Sequence, residues 1–282
     1  MALSIEPTGQ TCGALVRGID LSEPLSGDAL AELRQAWLTH QVIGLPDQQL
    51  TPDTLTRFAT RLGPNGDDPY LAGLPSNPRV VEVRREPDET TALFAESWHS
   101  DWSFLRTPPS ATLLYGVEIP PVGGDTMFAN LQAACEALSA AQREALSSLN
   151  AVHSARNGYS LSGRYSKDDQ TRSMKIKSDN SALATRSHPL IRTHPETGKQ
   201  VLFISPAYTI GIEGMSDEEG GELLRELFAF IERPEFVYQH KWAPKMLTIW
   251  DNRSLNHRAT GGYEGHRRLL QRVTVGEPTA HA

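Results

Sequence analysis

The chain has 282 residues, 39% of them hydrophobic and 22% charged, with a formal net charge of −7. That size and balance suit a globular protein with a substantial core, and the negative charge argues against nucleic acid or an acidic membrane surface as partner. No run of about 18 apolar residues is present, so no transmembrane helix is expected. The opening Met-Ala-Leu-Ser-Ile-Glu-Pro has neither a basic nor an apolar signal region, and a cytoplasmic location is expected. Cys12 and Cys135 are too few and too far apart for a disulfide framework and read as reduced structural thiols.

The spacing of Leu30, Leu33 and Trp37 predicts an amphipathic helix over Ser26–His40. Val42–Leu45 reads as a short buried strand. Thr51-Pro52 opens a second helix in the N-cap and N1 manner, and Gly63-Pro64 ends it. Val80–Val83 is a strand candidate and Glu86–Glu96 a polar loop. Thr112–Val117 reads as a strand, Pro120–Gly124 as a hard turn, and Asp125–Phe128 as extended again. Ser139 and Gln142 form a capping-box start for a helix to Leu149.

A strand begins at Val152-His153-Ser154. Gly158–Thr185 is polar and aperiodic; so long a stretch in a compact domain is functional or loosely held, and 158–185 is expected to be a mobile active-site lid, a surface insertion without a role being the alternative. His188–Thr193 and Gln200–Ile204 read as paired strands. Ser216 and Glu219 cap a helix to Glu232 whose apolar face is Leu223, Leu224, Leu227 and Ile231. Phe236–Trp242, Met246–Trp250 and Arg268–Val275 are further strands. Many strands with a few helices outside predict a mainly β fold with flanking helices, a β-sandwich or jelly-roll core. No stretch reads as an interdomain linker, so residues 1–282 are expected to form a single domain.

Trp98-His-Ser-Asp101 carries the chemistry. In a strand, residues i and i+2 share a face, so His99 and Asp101 can grip one metal ion from one side. His257 is available late in the chain. Two histidines and one carboxylate are the facial triad of non-heme Fe(II) oxygenases, which leaves positions open on the metal. The H-x-D spacing alone is short enough to arise by chance. His40, His153, His188, His194, His240 and His281 read as structural histidines, and His266 as a surface one.

Six segments in order, Gly18–Leu25, His40–Pro46, Trp98–Asp101, Pro120–Thr126, Ile249–Arg253 and His257 followed by Arg268, resemble the TauD/TfdA family of Fe(II)- and 2-oxoglutarate-dependent dioxygenases. The resemblance runs through most of the chain and implies a double-stranded β-helix, a jelly-roll variant. It implies His99, Asp101 and His257 as the iron ligands and hence the catalytic centre. Arg268, eleven positions after His257 (268 − 257 = 11), corresponds to the arginine that pairs with the distal carboxylate of 2-oxoglutarate, for which a planar guanidinium is suited.

Thr126 corresponds to the threonine that helps hold the same co-substrate. Arg272, on the same strand face as Arg268, corresponds to an arginine near the keto-acid end and an anionic substrate group. Arg258 and Arg267 alternate away from that face and read as surface charges. Trp98 and Trp250 read as packing around the site, with Asn252 and Asp251 orienting the ligands.

The implied activity consumes O2 and 2-oxoglutarate at Fe(II), releases succinate and CO2, and hydroxylates a small, anionic organic substrate; a retained Asp101 favours oxygen transfer over halogenation. Desaturation or ring formation with the same cofactors is the alternative, and a non-catalytic metal-binding jelly roll a further one. A homo-oligomer is expected. Taurine-degrading members carry a histidine near the segment that here reads Gly66–Tyr70, and no histidine lies between His40 and His99. Arg84–Glu89 with Val152–Ala155 is closer to members acting on aryloxyalkanoates such as dichlorprop.

Overall fold

The computed structural model describes residues 3–167 and 171–277. It is built mainly of β-sheets with some helices. The largest sheet has seven strands, in the order Ser4–Pro7, Ala14–Arg17, Val42–Leu45, Leu247–Asp251, Ala111–Glu118, Arg268–Val275 and Val81–Arg85. Strands 130 or more residues apart thus become neighbours: Trp250 pairs with both Val42 and Thr112, and Arg272 with Leu114 and Val81. A three-stranded sheet places Thr126–Asn130 between Val237–His240 and Leu255–Ala259. A second one places Asn150–Ser154 between Thr209–Ile212 and Thr185–Pro189.

Helices Gly27–His40 and Pro52–Leu62 cover one face of the large sheet. Leu33, Trp37, Leu55 and Phe58 pack there against Ile43, Leu113 and Ile249. Burying side chains of this size contributes roughly 1.5–3 kcal/mol each. Helices Leu131–Ala137 and Asp217–Ile231 close a second core around Leu190, Val201 and Leu202. Side chains cap the helix starts: Ser26 accepts from Ala29 N, and Thr51, Ser139 and Ser216 each make a reciprocal capping box. Among the described residues no helix is long and apolar enough to cross a membrane.

Two expectations change, and one strand that carries the site was not anticipated. His188–Thr193 is not one strand. Thr185–Pro189 pairs with Asn150–Ser154, whereas Ile191–Thr193 pairs with Gln200–Leu202. The switch is Leu190, whose N–H donates to Leu149 and whose carbonyl accepts from Phe203. The stretch 158–185 is not a featureless loop in its described part. It carries short helices at Arg164–Lys167 and Asn180–Leu183, and Tyr159, Tyr165, Met174 and Ile176 pack into an aromatic cluster with Tyr70, Trp102 and Phe104. Residues 168–170 of the expected lid, and His281, lie outside the described residues. Finally, Leu255–Ala259 is a strand that no hydrophobic alternation announces, because Asn256 and His257 are buried polar residues on it.

Candidate active site

His99 and His257, 158 positions apart in sequence (257 − 99 = 158), face each other across an isolated antiparallel bridge. Each donates its backbone N–H to the other's carbonyl, at 3.0 and 2.7 Å. This closes the two imidazoles to 4.1 Å between ring centres. One ligand atom each from His99, Asp101 and His257 falls within a 4.8 Å group, and all three residues are buried.

Second interactions fix each member. His99 Nδ1 lies 2.8 Å from the Ser97 carbonyl, which makes it the protonated nitrogen and leaves Nε2 with its lone pair. The Thr112 hydroxyl donates to Asp101 Oδ2 at 2.6 Å, Asn252 donates to that hydroxyl at 2.9 Å, and Trp250 Nε1 donates to Asn252. Asp101 Oδ1 is thereby left toward the imidazoles, 3.6 Å from His99 Nε2 and 3.9 Å from His257 Nε2. The Trp250 ring packs 4.7 Å from that of His257.

Burial pushes the His99 imidazole down, and burial with the neighbouring His99 pushes that of His257 well down, so both are in the neutral, ligating form. Burial alone would raise the Asp101 carboxyl. The charge of Arg272, with the Thr112 hydrogen bond, opposes it and holds Asp101 well below the usual carboxylate range.

The triad opens into a cavity of about 310 Å³ that is also lined by Thr126, Arg268 and Arg272. Arg268 reaches it because of the Gly123-Gly124 turn. Both glycines have positive φ, 64° and 69°, a region side chains disfavour. A Cβ on Gly124 would sit 3.1 Å from Arg268 Nε, and one on Gly123 would sit 2.4 Å from the Gly262 carbonyl. The Gly124 carbonyl accepts from Arg268 Nη2 at 3.0 Å. Among the described residues no carboxylate pairs with Arg268, its Nε has no partner, and burial pushes its pKa down. A buried cation in that condition needs an anion. The Thr126 hydroxyl accepts from Trp242 Nε1 at 3.0 Å and still has a proton to donate.

Arg272 differs. Its Nη1 donates to Asp68 at 2.5 Å, and its Nη2 lies 3.1 Å from Asp101 Oδ1 without hydrogen-bond alignment. Asp68 also accepts from Trp102 Nε1 at 2.8 Å and Thr274 Oγ1 at 3.0 Å. Burial pushes the Asp68 carboxyl up and Arg272 draws it back. With three donors on its two oxygens, we count it as ionised.

Asp251, expected near the ligands, turns away from them. It accepts from Arg253 and from His194 Nε2 at 3.0 Å. Trp98 lies under the Arg258 guanidinium at 5.1 Å rather than against the imidazoles. Arg267 pairs with Glu118 and Glu86 near the surface, and His266 is exposed. His153, His188, His194 and His240 are buried and hydrogen-bonded. Asp68, Thr112 and Arg172 went unnoticed in the sequence. Thr112 gave no signal, being one hydroxyl in an apolar strand; Asp68 stood out only for not being histidine.

The donor set fits a divalent iron: two neutral imidazoles, one ionised carboxylate, and, on the cavity-lining His257, Arg268 and Arg272, polar atoms without a partner among the described residues. The family model described as taurine catabolism dioxygenase TauD, TfdA family matches residues 4–274. A (S)-phenoxypropionate/alpha-ketoglutarate-dioxygenase of Sphingobium herbicidovorans is 30% identical over 285 residues, covering 99% of this chain and 97% of that protein. An alpha-ketoglutarate-dependent 2,4-dichlorophenoxyacetate dioxygenase of Cupriavidus pinatubonensis is 32% identical over 290 residues, covering 98% of each. The crystal structure of a taurine dioxygenase from Burkholderia xenovorans superposes with a TM-score of 0.81 at 30% identity, over 98% of this chain and 91% of that one.

Proposed function

The chain belongs to the TauD, TfdA family of Fe(II)- and 2-oxoglutarate-dependent dioxygenases, and on that premise we propose that it hydroxylates a small organic anion, of aryloxyalkanoate rather than taurine type, at His99, Asp101 and His257. The observation that carries this is one cavity shared by the buried triad and Arg268, which has no carboxylate partner among the described residues. We read Thr126, Arg268 and Arg272 as the co-substrate clamp. Arg268 takes the distal carboxylate of 2-oxoglutarate with two parallel bonds, Thr126 donates to it, and Arg272 steadies the keto-acid end through its unaligned Nη2. Iron with 2-oxoglutarate and O2 supplies the oxidising power for an unactivated C–H bond, with succinate and CO2 released.

The chain's own residues do the rest. Ser97 holds His99 in one tautomer, and Thr112 and Asn252 hold Asp101 in one rotation, so the ligand face is preorganised. Phe94, Tyr159, Tyr165 and Tyr208 line the same cavity and keep bulk water from the reacting carbon. The stretch 158–185 belongs to this reading as a lid, since Tyr159, Tyr165, Arg172 and Met174 come from it. The finer architecture that goes with it is a double-stranded β-helix forming a single domain. Two buried free cysteines suit a cytoplasmic enzyme.

The test is anaerobic. Fe(II) and 2-oxoglutarate with the wild-type chain should give a visible charge-transfer band that Asp101→Ala lacks, and aryloxyalkanoates should stimulate succinate release in air. A wild-type chain with no band and no succinate would sink the assignment. Product analysis decides between hydroxylation and the alternatives of desaturation or ring closure.

A further inference from the structure

The substrate's anionic group has to be held somewhere in the cavity, and charge balance narrows the place. At the iron end, Asp101, Asp68 and the keto-acid carboxylate carry three negative charges. Fe(II) and Arg272 carry three positive ones, so that end is neutral once 2-oxoglutarate is bound. Arg272 is moreover flanked by two carboxylates of the protein itself. Arg268 is balanced by the distal carboxylate. Among the other cavity cations, Arg164 pairs with Glu96, and Arg84 lies 3.8 and 3.5 Å from Glu82 and Glu86.

One group keeps an excess. Arg85 and Arg172 share the single carboxylate of Glu89, at 3.6 and 4.0 Å. That carboxylate is already occupied by the Thr91 hydroxyl at 2.5 Å and by the backbone and hydroxyl of Ser173. Arg85 spends Nη2 on the carbonyls of Glu89 and Thr91. The Arg172 side chain is only 1% exposed. Its Nη2 donates to the Ala92 carbonyl at 2.9 Å, and its Nε is buried with no partner among the described residues. A fully buried guanidinium with an unused N–H, in a cluster of net charge +1, is incomplete without an anion.

Resting on the 2-oxoglutarate dioxygenase reading above, we propose that Arg172 is the substrate-anion subsite. The organic anion lies with its carboxylate on Arg172 and its carbon skeleton along the aromatic wall, away from Arg272. Tyr165 sits under the Arg172 guanidinium at 5.3 Å, with Phe94 against Tyr165 at 5.4 Å and Tyr159 at 5.1 Å. Tyr208 continues the wall to His99, 6.0 Å between rings. Such a slot takes a flat apolar group between the anion and the triad, which selects an aryl-bearing carboxylate over a compact sulfonate. Asp68 contributes by occupying Nη1 of Arg272 and so denying it to a second anion.

The test uses the chain loaded with Mn(II) and N-oxalylglycine, an inert stand-in for 2-oxoglutarate. Dissociation constants are measured by calorimetry for 2,4-dichlorophenoxyacetate and for the uncharged 2,4-dichlorophenoxyethanol. Wild type should favour the anion by about tenfold or more, as expected for one charged hydrogen-bonded contact. Arg172→Met should remove that preference, Arg172→Lys should recover part of it, and N-oxalylglycine affinity should stay within about twofold in both, which also reports that the variants are folded. Anion preference that survives Arg172→Met and disappears in Arg272→Met would overturn the proposal and move the subsite to the iron end. Failure of wild type to bind either probe would overturn the aryl-anion slot, and with it this subsite. Intact 2-oxoglutarate-dependent succinate formation in that case would still leave the dioxygenase reading standing.

Discussion

Two buried clusters of aspartate, arginine and histidine are anchored on Leu247–Asp251 and Arg268–Val275, the two strands that flank Ala111–Glu118. One is Asp251, Arg253 and His194; the other is Asp101, Arg272 and the two site histidines. In the first, every polar atom has a partner. Asp251 Oδ1 accepts from Arg253 N and Nε, its Oδ2 from Arg253 Nη2 and His194 Nε2, and Arg253 Nη1 reaches Glu196 and Glu277. His194 Nδ1 accepts from two backbone N–H groups. In the second, His257 Nδ1, Arg272 Nη2 and, on the same strand as Arg272, Arg268 Nε are left without one among the described residues. The same residue types make a closed structural tie in one place and an open site in the other. What separates them is satisfaction, and a folded chain tolerates a shortfall where a ligand completes it.

Opposite substitutions should therefore have opposite signatures. Asp101→Ala should reduce substrate-dependent succinate formation to background while the chain still melts cooperatively, since a ligand has gone and Arg272 retains Asp68. Asp251→Asn should do the reverse. Breaking one partner of a buried ion pair costs about 3–5 kcal/mol, which for a chain of this size lowers Tm by roughly 10 °C, with Fe(II) affinity unchanged in the surviving fold. Equal thermal losses in the two variants would erase the distinction.

Arg268→Met tests the open cluster at its unpaired cation. Loss of a charged hydrogen-bonded contact is worth about 1.5–3 kcal/mol, so KM for 2-oxoglutarate should rise about ten- to a hundredfold with a smaller change in kcat. Thr112→Val probes the support beneath. Removing a group that orients a metal ligand weakens metal binding by about ten- to a hundredfold, read as Fe(II) affinity by titration, and Thr112→Ser should restore it. A Thr112→Val chain with wild-type affinity would mean that Asp101 is held by packing alone.

The sequence disclosed these two clusters unevenly. The two-residue spacing of His99 and Asp101 suggested a pair but is common by chance, and it took the family resemblance to make them ligands; His99 sits at an isolated bridge and Asp101 in the turn after it rather than on one strand. Arg268 was read from resemblance to the family, and Arg272 followed because four residues along a strand return to one face; both are buried on Arg268–Val275. His257 was singled out by resemblance to a family, not by its strand, since Leu-Asn-His-Arg-Ala has no alternating apolar pattern. Asp251 was misjudged for the same reason that Asp101 was found. Its neighbours Trp250 and Asn252 do support the site, and alternation along Leu247–Asp251 then carries Asp251 to the opposite face. Asp68 and Arg172 depend on contacts 204 and 83 residues away in sequence (272 − 68 = 204, 172 − 89 = 83), which no local pattern encodes.

The smallest effect expected concerns a closed tie with no charge of its own. His240 is fully buried between the Tyr238 hydroxyl at 2.9 Å and Thr248 Oγ1 at 2.9 Å, and burial pushes its imidazole down to about 4. Unfolded, it titrates near its ordinary value of about 6.5. The unfolded chain therefore binds the extra proton first as pH falls, so stability is complete above about 6.5 and declines from there toward 4. Between pH 7 and 5.5 this one group should remove about 1 kcal/mol. His240→Gln, which can still bond both hydroxyls but cannot take up the proton, should flatten that part of the urea-denaturation profile against pH. An unchanged slope in the variant would assign the loss to another buried imidazole, and His153, pushed down by burial to about 3, is the next group to substitute.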